Sequence, residues 1–192
     1  MKKDTSVGWI LPAAAVAAGI GMLVGIVRRG MSGPVGNRAV PEPAKAVDLD
    51  HYVGRWYELA RYENRFERGC EGVTADYAIR PDGLVDVVNA CRDRSSGRVQ
   101  RVSNGRAKIV PDSRNAKLRV SFFGPFFFGD YWVLDHADNY EWSLVGEPSG
   151  RFLWILCRDP QPSGDRFDEL VERVKVLGYD TTFLRRTKQN FP

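Results

Sequence analysis

Between Gly54 and Cys157 the chain is cut into short runs in which apolar and polar residues alternate, with turn-forming residues between them. A period of two is that of a strand with one buried face. A series of such runs at short intervals is the sign of an all-β sandwich or barrel. The first run, Val53-Gly54-Arg55-Trp56-Tyr57-Glu58-Leu59-Ala60-Arg61-Tyr62, places Trp56, Glu58, Ala60 and Tyr62 on one side. Gly54 suits a tight entry just ahead of the strand, where a side chain would block close backbone approach. Later runs centre on 73–79, 85–89, 102–110, 116–123, 130–135, 140–145 and 152–157. Pro81-Asp82-Gly83 is a turn with a mechanism, Pro fixing φ and Gly taking a positive one. After Pro160-Gln161-Pro162-Ser163 the period changes to 3.6. Phe167, Leu170, Val171, Val174 and Leu177 form one stripe, so a helix is expected here. Ser163 or Asp165 can cap it, Gly178 ends it, and a short strand over 182–185 follows.

The N-terminal part reads differently. Residues 7–27 carry no charge over a length that spans a bilayer core as a helix, and Arg28 and Arg29 stop the run. Ala15-Val16-Ala17 fits a signal-peptidase pattern, but the run continues ten residues beyond it. That favours a retained membrane anchor over a cleaved signal peptide, and Gly21-Met22-Leu23-Val24-Gly25 would let two such helices approach closely. The division is therefore 1–30 as anchor or signal peptide, 31–46 as a Pro- and Gly-containing linker, and 47–192 as the folded domain.

Charge follows this division. Residues 1–45 hold six Lys/Arg and two acids, which leaves twenty-two of each sign in the remainder. A neutral domain gives no electrostatic reason to expect nucleic acid as a partner. Three cysteines and two separated histidines, His51 and His136, lack the ligand spacing of a metal site, and both histidines are expected at the solvated surface. Cys70 and Cys91 flank a hairpin and can pair in an oxidising compartment. Strict alternation sets them on opposite faces unless a bulge or loop intervenes. Cys157 reads as a small apolar filler. No nucleophile elbow or phosphate loop is present, so no catalytic residue and no cofactor is expected.

Trp56-Tyr57-Glu58-Leu59-Ala60-Arg61, Arg65-Phe66-Glu67-Arg68-Gly69, Val120-Ser121-Phe122-Phe123-Gly124-Pro125-Phe126 and Leu153-Trp154-Ile155-Leu156 occur in this order, with Gly129-Asp130-Tyr131 between the last two. Over roughly residues 47–189 the chain resembles the lipocalins, and within them the bacterial outer-membrane branch that includes plant temperature-induced lipocalins and is close to apolipoprotein D. The resemblance implies an eight-stranded antiparallel up-and-down β-barrel with a C-terminal helix. It implies that Gly54, Trp56 and Arg158 close the barrel base, with Arg158 stacked on Trp56. It also implies a fatty acid or lysophospholipid ligand, in a membrane-anchored domain of the bacterial envelope, in the periplasm. Bacterial members are acylated on a Cys after the signal peptide. This chain has no Cys before Cys70, so a helix would replace the acyl anchor.

Counting odd and even positions puts Tyr77, Val87, Asn89, Val120, Phe122, Tyr131, Ser143, Phe152 and Trp154 inward. This mostly apolar set with a few polar groups suits a cavity for an aliphatic chain, or simply a filled core. Glu58, also inward, needs a neighbouring Arg or a ligand head group as partner. Two other classes of function stand beside lipid carriage: an envelope enzyme acting on lipids, and an adaptor with a solid-packed barrel. Phe122–Phe128 holds five Phe around a Gly-Pro break, too many to point inward together. Phe126, Phe127 and Phe128 are therefore expected at an interaction surface, either with a membrane or in a homodimer.

Overall fold

The structure, a computed structural model, describes residues 33–93 and 95–190. The expected anchor at 1–30 lies outside the described residues. Among those residues no helix is long and apolar enough to cross a membrane.

Eight antiparallel strands close into a barrel: β1 (Gly54–Tyr62), β2 (Cys70–Ile79), β3 (Val85–Asp93), β4 (Val99–Ile109), β5 (Lys117–Ser121), β6 (Gly129–His136), β7 (Trp142–Gly146) and β8 (Leu153–Cys157). Each strand pairs with the next, and β1 joins both β8 and β2. A short helix, α1 (Leu49–Tyr52), precedes β1 at the base. Helix α2 (Gly164–Val176) begins where Ser163 Oγ accepts from the Arg166 amide at 3.2 Å and ends before Gly178 at φ +87°. A 3-10 turn (Thr181–Phe183) then leads into β9 (Leu184–Arg186), which pairs with the upper end of β1. Strand ends differ from the sequence expectation by a few residues, because turn residues pair only where both neighbours reach.

The barrel has two packing faces. Its lower interior is filled by Tyr52, Trp56, Val133, Val145 and Leu156, with Val85, Val87, Ala107 and Leu118 on the other side. Outside, Leu59, Ala60, Leu144, Leu153 and Ile155 meet Leu170 and Val174 of α2. This corrects the expected side of Ala60 and Tyr62. Against β8 the register of β1 shifts between Glu58 (opposite Leu156) and Ala60 (opposite Ile155), so Leu59 is an extra residue. Past this bulge the alternation inverts: Trp56 and Glu58 face inward, Ala60 and Tyr62 face the helix side, and Arg61, opposite Trp154, faces inward.

A second bulge, between Glu71 and Thr74 of β2, resolves the cysteines. It brings Cys70 to the face of Cys91, and the two are joined as a disulfide with Cα atoms 5.4 Å apart. Cys157 is free and buried.

Residues 33–46 do not behave as a linker. They lie along the barrel as a strap tied at both ends. Near the mouth, the Gly36 and Asn37 amides donate to Gly150 O at 2.9 and 3.2 Å, and Arg151 Nη1 donates to Gly33 O at 2.7 Å. Near the base, Arg114 Nη2 donates to the Pro43 and Ala44 carbonyls, and Lys45 Nζ donates to His136 O at 2.8 Å. Gly36 has to be glycine, since a Cβ there would come within 2.2 Å of the Tyr62 ring. The strap also corrects His136. It is buried rather than solvated, with its ring nitrogens 2.8 and 3.0 Å from Ala137 O and Ala46 O and its ring stacked on Tyr140. His51 stays exposed, as expected.

Candidate functional site: the barrel interior and its mouth

The base is closed by an aromatic and a guanidinium. Trp56 is fully buried, its Nε1 donates to Tyr52 O at 2.8 Å, and the Arg158 guanidinium lies 3.8 Å from its ring centre. Arg158 also donates to the carbonyls of His51, Tyr52, Val53 and Arg55 at 2.7–3.0 Å. Gly54, at φ +94°, passes beneath this guanidinium; a Cβ there would lie 3.3 Å from Nη1.

Above the base a chain of hydroxyls crosses the interior. Tyr52 Oη lies 2.8 Å from Tyr131 Oη and 3.1 Å from Ser143 Oγ, and Tyr77 Oη donates to Tyr131 Oη at 3.1 Å. Burial pushes the Tyr52 phenol up to about 12 and moves Tyr77 and Tyr131 up as well, so all three remain neutral donors. Tyr77, Ser143 and Tyr131 were legible from strand alternation. Tyr52 was not, since it stands on a single-turn helix with no period to read.

Higher in the barrel, Asn89, Val120, Phe152 and Trp154 face inward, are half-buried, and line the upper wall. Asn89 Oδ1 is buried and has no hydrogen-bond donor among the described residues. Val87, beside Tyr77, is buried in the floor, and Phe122 sits at the rim, 37% exposed. Phe66, Phe152 and Trp154 stack in sequence at 5.6 and 5.8 Å, so the β1–β2 loop reaches over the mouth.

A buried polar network holds that loop. Arg61, 0% exposed, donates through Nη1 to Glu58 Oε1 at 2.6 Å and through Nη2 to Glu67 O at 2.9 Å and Cys70 O at 3.2 Å. Glu58 also accepts from Thr187 Oγ1. Its partner is thus a neighbouring Arg, one of the two alternatives open in the sequence. Glu67 Oε2 accepts from Trp154 Nε1 at 3.1 Å and from Asn64 Nδ2. Burial, with the Glu58 charge adding to it, raises the Glu67 carboxyl from 4.5 to about 8. The folded state therefore holds this proton more tightly than the unfolded chain does. Stability is expected to fall as pH rises from about 4.5 to about 8. Urea midpoints at pH 5 and pH 8 check this, and Glu67→Gln should flatten the slope. An unchanged slope in that variant would remove Glu67 as its source. Arg61, Asn64 and Glu67 escaped sequence reading because their partners are brought together by a bulge and a loop rather than by spacing.

In the β5–β6 loop, Phe123 is 89% exposed, and exposed Phe126 and Phe128 stack at 5.6 Å. Phe127 differs from the expectation: it is half-buried, with Lys108 Nζ 5.1 Å from its ring centre.

The family model described as a lipocalin-like domain matches residues 47–189. Outer membrane lipoprotein Blc of Vibrio cholerae is 36% identical over 160 residues, covering 83% of this chain and 92% of that protein. Temperature-induced lipocalin-1 of Arabidopsis thaliana is 36% identical over 156 residues, covering 78% and 83%. Among solved structures, insecticyanin of the tobacco hornworm Manduca sexta superposes with a TM-score of 0.63 at 19% identity, over 83% of this chain and 88% of that one, a likeness of fold. With the barrel, the base clamp and these matches in agreement, the chain belongs to the lipocalin family.

Proposed function

We propose that the protein holds a fatty acid or a lysophospholipid in the upper barrel and stores or transports it for maintenance of a bacterial cell envelope. The observation that carries this is the wall formed by Asn89, Val120, Phe152 and Trp154. These inward-facing residues keep accessible surface inside the barrel, where a filled core would have buried them. An acyl chain suits the apolar part of that wall. Asn89 Oδ1 supplies an acceptor for a hydroxyl or amide on the ligand. Binding accounts for these residues better than catalysis does. Glu58 and Arg61 are engaged with each other, and burial raises the Cys157 thiol away from reactivity. Similarity to outer membrane lipoproteins supports an envelope location, and the uncharged run at 7–27 supports a helical anchor.

The exposed Phe123, Phe126 and Phe128 support contact of the loop with a bilayer, and a homodimer through the same loop is the second reading. Titration of oleic acid or lysophosphatidylcholine should quench Trp154 fluorescence saturably, and native mass spectrometry of fresh protein should show a retained lipid. A flat titration with both amphiphiles would end the proposal. For the loop, a fragment starting at residue 33 keeps the strap. Its Phe126→Ser plus Phe128→Ser variant should lose liposome co-sedimentation and still bind monomeric lipid. Unchanged co-sedimentation with a shift from dimer to monomer would assign the loop to self-association.

A further inference from the structure

The barrel wall is incomplete on one side. β4 pairs with β3 from Val99 (opposite Arg92) to Ala107 (opposite Val85), but with β5 only from Arg106 (opposite Ser121) to Ile109 (opposite Leu118). β5 ends at Ser121, and the chain then turns through Gly124 at φ +63°. Among the described residues, no strand pairs with Val99–Gly105 on its β5 side. At about 3.3 Å per residue, that leaves roughly 20 Å of strand edge open toward the mouth. Ser103, opposite Asn89 and therefore inward-facing, is exposed, as a residue beside a gap in the wall would be.

One side chain shuts the lower end of this gap. The Phe122 ring lies on Gly105, so close that a Cβ at position 105 would come within 2.8 Å of it. Phe122 continues the inward face of Val120 and is only part-covered at 37% exposure. Outside the gap stand the exposed rings of Phe123, Phe126 and Phe128. The axial mouth is held more firmly. Over it lies the β1–β2 loop, with Phe66 stacked on Phe152 and Glu67 bonded to Trp154. Arg101 crosses from β4 to donate to Phe66 O at 2.8 Å and Arg68 O at 3.3 Å.

We infer that an acyl chain enters the cavity sideways, between the unpaired upper part of β4 and the β5–β6 loop, and that Phe122 is the gate. This rests on the lipid-binding proposal and specifies its route. Opening here needs one part-exposed ring to rotate off a glycine and the single bond from Arg106 Nη2 to Gly124 O (3.3 Å) to part, with no strand-to-strand hydrogen bond broken. Opening the axial mouth would break the Phe66–Phe152 stacking, the Trp154 bond to Glu67 and the Arg101 bonds, and would draw an apolar chain past Arg65, Glu67 and Arg68. On the lateral route the chain passes from exposed Phe rings onto Phe122, Val120 and the inner wall, with Ser103 and Arg106 at the β4 edge beside it.

The test is stopped-flow association and dissociation of cis-parinaric acid with the full-length chain. Phe122→Ala is expected to raise both rates by about fivefold or more, since the gate is removed. Phe66→Ala, which loosens the axial roof, is expected to leave association within about twofold of wild type. If Phe122→Ala fails to fold, Phe122→Leu keeps the apolar filling without the ring and should accelerate association in the same direction. Acceleration by Phe66→Ala equal to or greater than that by Phe122→Ala, or wild-type rates in the Phe122 variants, would overturn lateral entry while equilibrium binding persists. Absence of saturable binding to the wild-type chain would overturn both this route and the proposed function.

Discussion

Trp56→Ala is expected to destabilise the domain by roughly 3–5 kcal/mol in urea unfolding, the usual cost of deleting a fully buried large aromatic. Three contacts fail together: the Nε1 bond to Tyr52 O, the Arg158 guanidinium at 3.8 Å, and the Tyr52 ring at 5.0 Å. Arg158→Ala should cost about 2–4 kcal/mol, because four carbonyls at the base lose a shared donor as well as the stacking. Arg158→Lys should recover little, since a compact ammonium cannot fork to those carbonyls and lie flat on an indole at once. The two Ala effects should be less than additive by about 1 kcal/mol or more, because each removes the same contact. Strict additivity would mean that the stacking carries no energy.

Arg61→Met should have an effect of similar size, roughly 3–5 kcal/mol, for a different reason. It leaves Glu58 buried, with Thr187 Oγ1 still donating to it but no counter-charge at Nη1. Adding Glu58→Gln removes the stranded charge and should return about 1–2 kcal/mol. The pair would be shown to be uncoupled if Arg61→Met cost less than about 1 kcal/mol, or if the double variant were no more stable than the single one.

What the sequence by itself determined was what repeats locally. Alternation placed the eight strands and turned Tyr77, Val87, Val120, Tyr131, Ser143 and Trp154 inward, because a pleated strand alternates faces wherever its ladder is regular. The 3.6 stripe of Phe167, Leu170, Val171 and Val174, with Ser163 ahead of it, likewise needed nothing beyond helix geometry. Only the tertiary structure decided what depends on a break in that regularity. Glu58 and Arg61 are three apart and would point to opposite faces of a straight strand; the extra residue Leu59 puts both inside, and long-range pairing with β8 produces the bulge. Cys70 meets Cys91 for the same reason, through the bulge in β2. The strap at 33–46 has no period at all. Its place is set by separate hydrogen bonds to Gly150, Arg114 and His136, residues that come within reach only once the barrel has closed.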